Sequence, residues 1–178
     1  MVAFGTRAEI SSSAVAMSGD ENLNGLGGWL ILVGVGVVFA PVLLLFESVP
    51  SYFSLFIDGS WSALTEVGGR HYHSGWKPIL LGGMILDALL FCALCYLPFL
   101  FFCSKRTFPK WFILLLVAKI ALPFADAIFV KAAFADDPYI LAKSPGPVDG
   151  DLVLAIVAAA IWIPYTLVSK RVEATFVL

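Results

Sequence analysis

Residues 79–103 read ILLGGMILDALLFCALCYLPFLFFC, residues 104–110 SKRTFPK, and residues 111–134 WFILLLVAKIALPFADAIFVKAAF. Two long apolar runs flank a short joint that carries Lys105, Arg106 and Lys110. A helix needs about 20 mostly apolar residues to cross a hydrocarbon core of about 30 Å. Both runs meet that length. An open strand in lipid would leave its backbone groups unpaired, so both are read as transmembrane helices. The short joint makes them a tight antiparallel hairpin.

Working outward, two further stretches qualify as spans. One covers about 26–46. The other, the shortest, covers 152–168, after a break at Ser144-Pro145-Gly146-Pro147. The expected architecture is therefore all-α: an integral membrane four-helix bundle with spans at 26–46, 79–103, 111–134 and 152–168. Composition agrees, since 60% of the 178 residues are hydrophobic and 13% charged. A soluble domain is nearer half apolar and a quarter charged. A net charge of -2 gives no basic surface for nucleic acid. Residues 1–25 are mixed and polar, with Arg7, Glu9, Asp20 and Glu21, which does not read as a signal peptide. They are expected to be a disordered cytoplasmic tail, and residues 26–178 the membrane domain.

Orientation follows Lys and Arg. Lys105, Arg106, Lys110, Lys170 and Arg171 crowd one side. The opposite loops, 47–78 and 135–151, are long and mostly acidic. Both termini are therefore expected in the cytoplasm, with a long first periplasmic loop. The aromatic section Tyr52, Phe53, Leu55, Phe56, Ile57 and Trp61 of that loop is too short to span; it would lie in the interface or cap the bundle.

The ends of the chain and the middle turn carry a resemblance. Residues 25–34 read GLGGWLILVG, residues 105–111 KRTFPKW, and residues 161–176 IWIPYTLVSKRVEATF. Together they resemble the DUF2569 family of small bacterial membrane proteins, over about residues 25–178. The resemblance implies a four-helix protein of the bacterial inner membrane. It implies no activity, the family being defined by sequence alone, and no catalytic residue is carried over. The first periplasmic loop is where the chain is expected to differ most from its relatives.

Most motifs have a packing explanation. Gly25, Gly27, Gly28, Gly34 and Gly36 let helix backbones approach closely at the start of span one, with Trp29 as an interfacial anchor. Pro41, Pro98, Pro123 and Pro164 place one proline in each span. They fit curved packing, or the broken helices of transporters. Cys92 and Cys95 lie mid-span among Leu, Phe and Ala, where a redox pair has no polar setting. Cys103 leaves the count odd, so no disulfide framework is implied. His71 and His73 could share a metal only if acids such as Glu66 added ligands, and the spacing is not diagnostic. No cofactor is expected.

The unusual feature is charge inside the spans: Asp87 in the second, Lys119 and Asp126 in the third. Such groups are costly at depth and usually face the bundle interior. In span three, Lys and Asp at the bilayer centre would cost about 5–7 kcal/mol together, while its apolar side chains return about 4–8. The span is marginal alone and gains from a partner. Counted from the outer ends, Asp87 and Asp126 both lie about 12 Å deep, with Lys119 about 10 Å further in on the Asp126 face. The three are expected to form one interior polar group, either a helix clamp or a site that holds a proton or cation.

With no nucleophile–base pair in view, the leading expectation is a non-enzymatic accessory or assembly partner in the cytoplasmic membrane. The alternative is a small proton- or cation-coupled transporter or channel acting as an oligomer. Partners would be the lipid bilayer and another membrane protein or a second copy.

The topology is open to direct test. Cysteines introduced at Ser62 and Ser144 should react in intact cells with a membrane-impermeant thiol reagent admitted through the outer membrane. One at Thr107 should stay unlabelled. Labelling of Thr107→Cys alone would invert the orientation.

Overall fold

The computed structural model describes residues 28–144 and 146–176. The expected disordered tail and Gly25 and Gly27 lie outside the described residues. Seven helices and no strand occur among the described residues. Four are long and apolar enough to cross a membrane: α1 (Trp29–Ile57), α3 (Trp76–Phe102), α4 (Phe108–Ala133) and α6 (Gly150–Val168). Three short helices accompany them: α2 (Ser60–Thr65), α5 (Pro138–Lys143) and α7 (Lys170–Thr175). The four-span reading holds.

The first span differs from expectation at its far end. Glu47, Ser48, Pro50 and Ser51 lower the local hydropathy, and the sequence reads there as the start of a loop. Instead α1 runs on for 29 residues, through Pro41 and Pro50, to Ile57. The stretch expected to lie in the interface or cap the bundle, from Tyr52 to Ile57, is its last turns. An interior proline costs a helix one hydrogen bond, here the donor to the Phe46 carbonyl, without ending it, and serine hydroxyls just beyond add bonds to the backbone. Ser51 Oγ donates to the Glu47 carbonyl at 3.2 Å and Ser54 Oγ to the Ser51 carbonyl at 3.0 Å. Only 58–75 then connects α1 to α3, and it contains α2, whose Trp61 stacks on Phe56 at 5.2 Å.

The α3–α4 hairpin closes by a specific backbone device. Ser104 adopts φ 49°, the left-handed region. The N–H of Ser104 reaches the Phe101 carbonyl at 3.1 Å and that of Lys105 the Leu100 carbonyl at 3.0 Å. These are the two bonds of a Schellman cap, which satisfies carbonyls the helix end would otherwise orphan. The tight turn expected from SKRTFPK is built this way.

Packing is concentrated at this hairpin end. Leu30, Val33 and Val37 of α1 meet Leu97, Leu100 and Phe101 of α3, Phe108 of α4, and Val172 and Phe176 at the tail, all buried. The Phe108 ring stacks on Phe176 at 4.6 Å and meets Phe101 at 5.1 Å. Trp29 and Trp162 meet edge to face at 6.4 Å, bringing the starts of α1 and the end of α6 together. GLGGWLILVG, KRTFPKW and IWIPYTLVSKRVEATF all contribute to this one cluster. Gly34 is the closest approach: a Cβ there would lie 2.8 Å from the Phe101 ring, which is 2% exposed and cannot retreat. Close packing at glycine thus holds at Gly34, whereas Gly36 has nothing within 4 Å.

Contact along the bundle runs α1 to α3, α3 to α4, and α4 to α6. Beyond the Trp29–Trp162 pair, α1 and α6 pack little against each other, leaving a seam. At the opposite, loop end, a second small knot forms: Phe134 is fully buried between Trp76, at 4.6 Å, and His73, at 4.7 Å.

Two substitutions should shift stability in opposite directions. Gly34→Val forces a branched side chain into Phe101 and should cost about 1–3 kcal/mol. Ser104→Gly relieves a left-handed residue and should gain about 0.5–1 kcal/mol. Melting of the purified protein in mild detergent checks both; a neutral Gly34→Val would contradict the close approach.

Candidate functional site

Asp87 lies near the middle of α3 and is half-buried. Its Oδ2 accepts two hydrogen bonds from α1, one from Ser48 Oγ at 2.8 Å and one from Tyr52 Oη at 2.9 Å. Ser48 and Tyr52 are four residues apart and so share one helix face. The pairing follows one antiparallel register. From Gly34 to Ser48 to Tyr52 along α1, the facing positions step back equally along α3, from Phe101 to Asp87 to Gly83. Tyr52 Oη would lie 3.6 Å from a Cβ at Gly83, so the glycine leaves room for the phenol. The aspartate is therefore tied to α1, not to α4 as its depth alone had suggested.

Neither donor was visible from sequence, because both fall where α1 had been expected to have ended. The signal that could have found them is Ser-x-x-x-Tyr at helical spacing, opposite an intramembrane acid.

Asp126 and Lys119 lie on α4 and both are exposed. Their exposure has a different origin from that of their apolar neighbours. Trp111, Leu114, Val117, Phe124 and Ile128 are exposed along one arc of α4. At about 100° per residue, Lys119 and Asp126 fall on the opposite arc. The first arc faces outward; the second carries Phe108, Phe112 and Leu115 toward the core and, further along, Asp126 into an open cavity. Lys119 makes no hydrogen bond or ion pair with a described residue. Asp126 makes no hydrogen bond with a described residue. Because Trp76 and Phe134 touch, those two positions are level. Asp87, eleven residues from one, then lies about 5 Å deeper than Asp126, eight from the other. The expected equal depth is corrected to a step: Asp126 above, Asp87 with Tyr52 and Ser48 below.

Above Asp126 the interior widens into an open cavity of about 880 Å³ at the loop end. Pro123, Asp126, Ala127 and Val130 line one wall, all from the interior arc of α4. Arg70, His71, Lys143 and Asp149 lie among the residues nearer the loops. Two of its acids are engaged in local structure. Asp137 accepts the N–H groups of Tyr139 at 3.0 Å and Ile140 at 3.2 Å; Asp149 accepts that of Leu152 at 2.8 Å. Both are helix N-caps.

His71 and His73 line this cavity but do not act as a pair. His73 Nδ1 accepts the Gly75 N–H at 3.0 Å, and its ring packs on Phe134. Among the described residues no three His, Cys, Asp or Glu side chains come together in a metal-holding group. Cys92 and Cys95 are free thiols on the exposed surface of α3.

Comparison with known proteins adds one finding. The model of the DUF2569 family, described as a protein of unknown function, matches residues 23–177. No curated protein and no solved structure matches.

Proposed function

The chain belongs to the DUF2569 family, and from that premise we propose that it is a non-enzymatic, proton- or cation-coupled carrier of the bacterial cytoplasmic membrane. One observation carries this reading: of the two intramembrane acids, one lines an open cavity and the other is held by hydroxyls nearer the middle of the bundle. Asp126 lines the open cavity, and Asp87 stands below it with Tyr52 and Ser48. Beneath lies the aromatic plug of Phe101, Phe108 and Phe176. A bundle open at one end and sealed at the other fits one half of an alternating-access cycle. Ionisable groups at such depth mark ion pathways by default.

The orientation proposed is both termini in the cytoplasm. Lys105, Arg106, Lys110, Lys170 and Arg171 all lie toward the plugged end, which supports placing that end inside. The cavity would then open to the periplasm. Five helix-interior prolines, Pro41, Pro50, Pro98, Pro123 and Pro164, supply points at which the spans can bend.

A second reading, the accessory or assembly partner, is favoured by the seam between α1 and α6, which a helix of another protein could fill. Mild solubilisation separates the two. A stoichiometric foreign subunit favours assembly; a preparation containing only this chain favours the carrier.

Reconstituted into liposomes on a sensor membrane, the wild-type protein should give transient charge displacement after a jump in pH or sodium concentration. Asp87→Asn and Asp126→Asn should each abolish it while eluting and melting like wild type. Wild-type signals no larger than those of empty liposomes would remove the carrier reading.

A further inference from the structure

The cavity at the loop end has the size of a small-molecule site, about 880 Å³ against the usual few hundred to 1,000. Its walls are largely apolar, formed by side chains such as Leu64, Trp76, Ile79 and Val130. Its shape is held from behind by the Phe134 knot and by Gly75, where a Cβ would lie 2.8 Å from the Ala133 carbonyl. What distinguishes it is the placement of charge. Asp137 and Asp149 sit at the rim and cap helices. That leaves Asp126 as the lining carboxylate without a hydrogen bond among the described residues, about 10 Å down α4 from its loop end. Arg70 and Lys143 lie in the loop-side lining, and neither has an ion-pair partner among the described residues; Lys143 rests 4.7 Å over the Tyr139 ring. The arrangement is one acid deep and two cations above it, across an apolar wall.

We propose that this cavity binds a zwitterionic head of the phosphoethanolamine type, its ammonium on Asp126 and its phosphate between Arg70 and Lys143. The open mouth of the cavity admits either the head of a lipid or a free solute. This deepens the carrier reading, on which it rests in taking the interior as a binding space. A bound ammonium and a bound coupling ion would compete for Asp126, so uptake of one favours release of the other.

The test measures binding of lysophosphatidylethanolamine to the full-length protein in detergent, with lysophosphatidylglycerol as the head that has phosphate and no amine. Lysophosphatidylethanolamine should bind more tightly. Asp126→Asn should weaken it about tenfold, the effect expected of one charge-assisted hydrogen bond, and leave the glycerol lipid unchanged. Arg70→Gln with Lys143→Gln should weaken both. If Asp126→Asn loses both lipids, Asp126→Glu decides: a recovered preference for the amine supports the proposal, and its absence overturns it. Equal binding of the two lipids by wild type also overturns it. Lipid-free phosphoethanolamine bound with the same Asp126 dependence identifies a solute; binding of the lysolipid alone identifies a lipid. Asp87→Asn keeps the two claims separate: it should abolish charge displacement and leave lysophosphatidylethanolamine binding intact.

Discussion

The structure depends on one constraint, the register in which α1 lies against α3. At the plugged end that register is set by contact, Gly34 beneath the Phe101 ring. In mid-membrane it is set by hydrogen bonding, Ser48 and Tyr52 on Asp87. The two agree because both lie along the same facing rows of the helices. A slip by one residue would turn Ser48 and Tyr52 away from the carboxylate by about 100° and drive a Cβ-bearing residue into Phe101. An aspartate left without donors at that depth is expensive, so the polar contact selects the register and the apolar one tightens it.

From that register the unequal ends of the bundle follow. Where α1 and α3 approach most closely, the hairpin cap at Ser104 returns the chain. Phe108, Val172 and Phe176 then fill the remaining space. Toward the other end the helices have no comparable core. The interior arc of α4 stays uncovered, with Lys119 low and Asp126 higher along it. A four-helix bundle packed evenly along its length would bury that arc. This one seals one end and leaves the other open, so Asp126 meets a cavity while Asp87 is held by the hydroxyls of α1.

The four spans were legible because hydropathy over some 20 residues is a strong and local signal. Asp87, Lys119 and Asp126 were legible for the same reason, as charges that interrupt it. What could not be read was where each turns. Asp87 goes to α1, because its donors lie beyond Glu47 and Pro50, residues that mimic the end of a span. The N-cap roles of Asp137 and Asp149 are short-range patterns, yet they were hidden among the many acids of an expected loop. The tail was read for orientation, through Lys170 and Arg171. Its other role, delivering Val172 and Phe176 to the core, rests on two apolar residues one helical turn apart. Such a pair is too brief to stand out beside long apolar spans.

The central claim is that Asp87 is held by α1 rather than by its hairpin neighbour. Solid-state carbon-13 correlation spectra of the labelled wild-type protein and of Tyr52→Phe in lipid bilayers test it. A through-space cross-peak between Asp87 Cγ and a tyrosine Cζ should appear, and should vanish in Tyr52→Phe. A cross-peak from Asp87 Cγ to a lysine Cε, with none to tyrosine, would contradict the account and return Asp87 to Lys119.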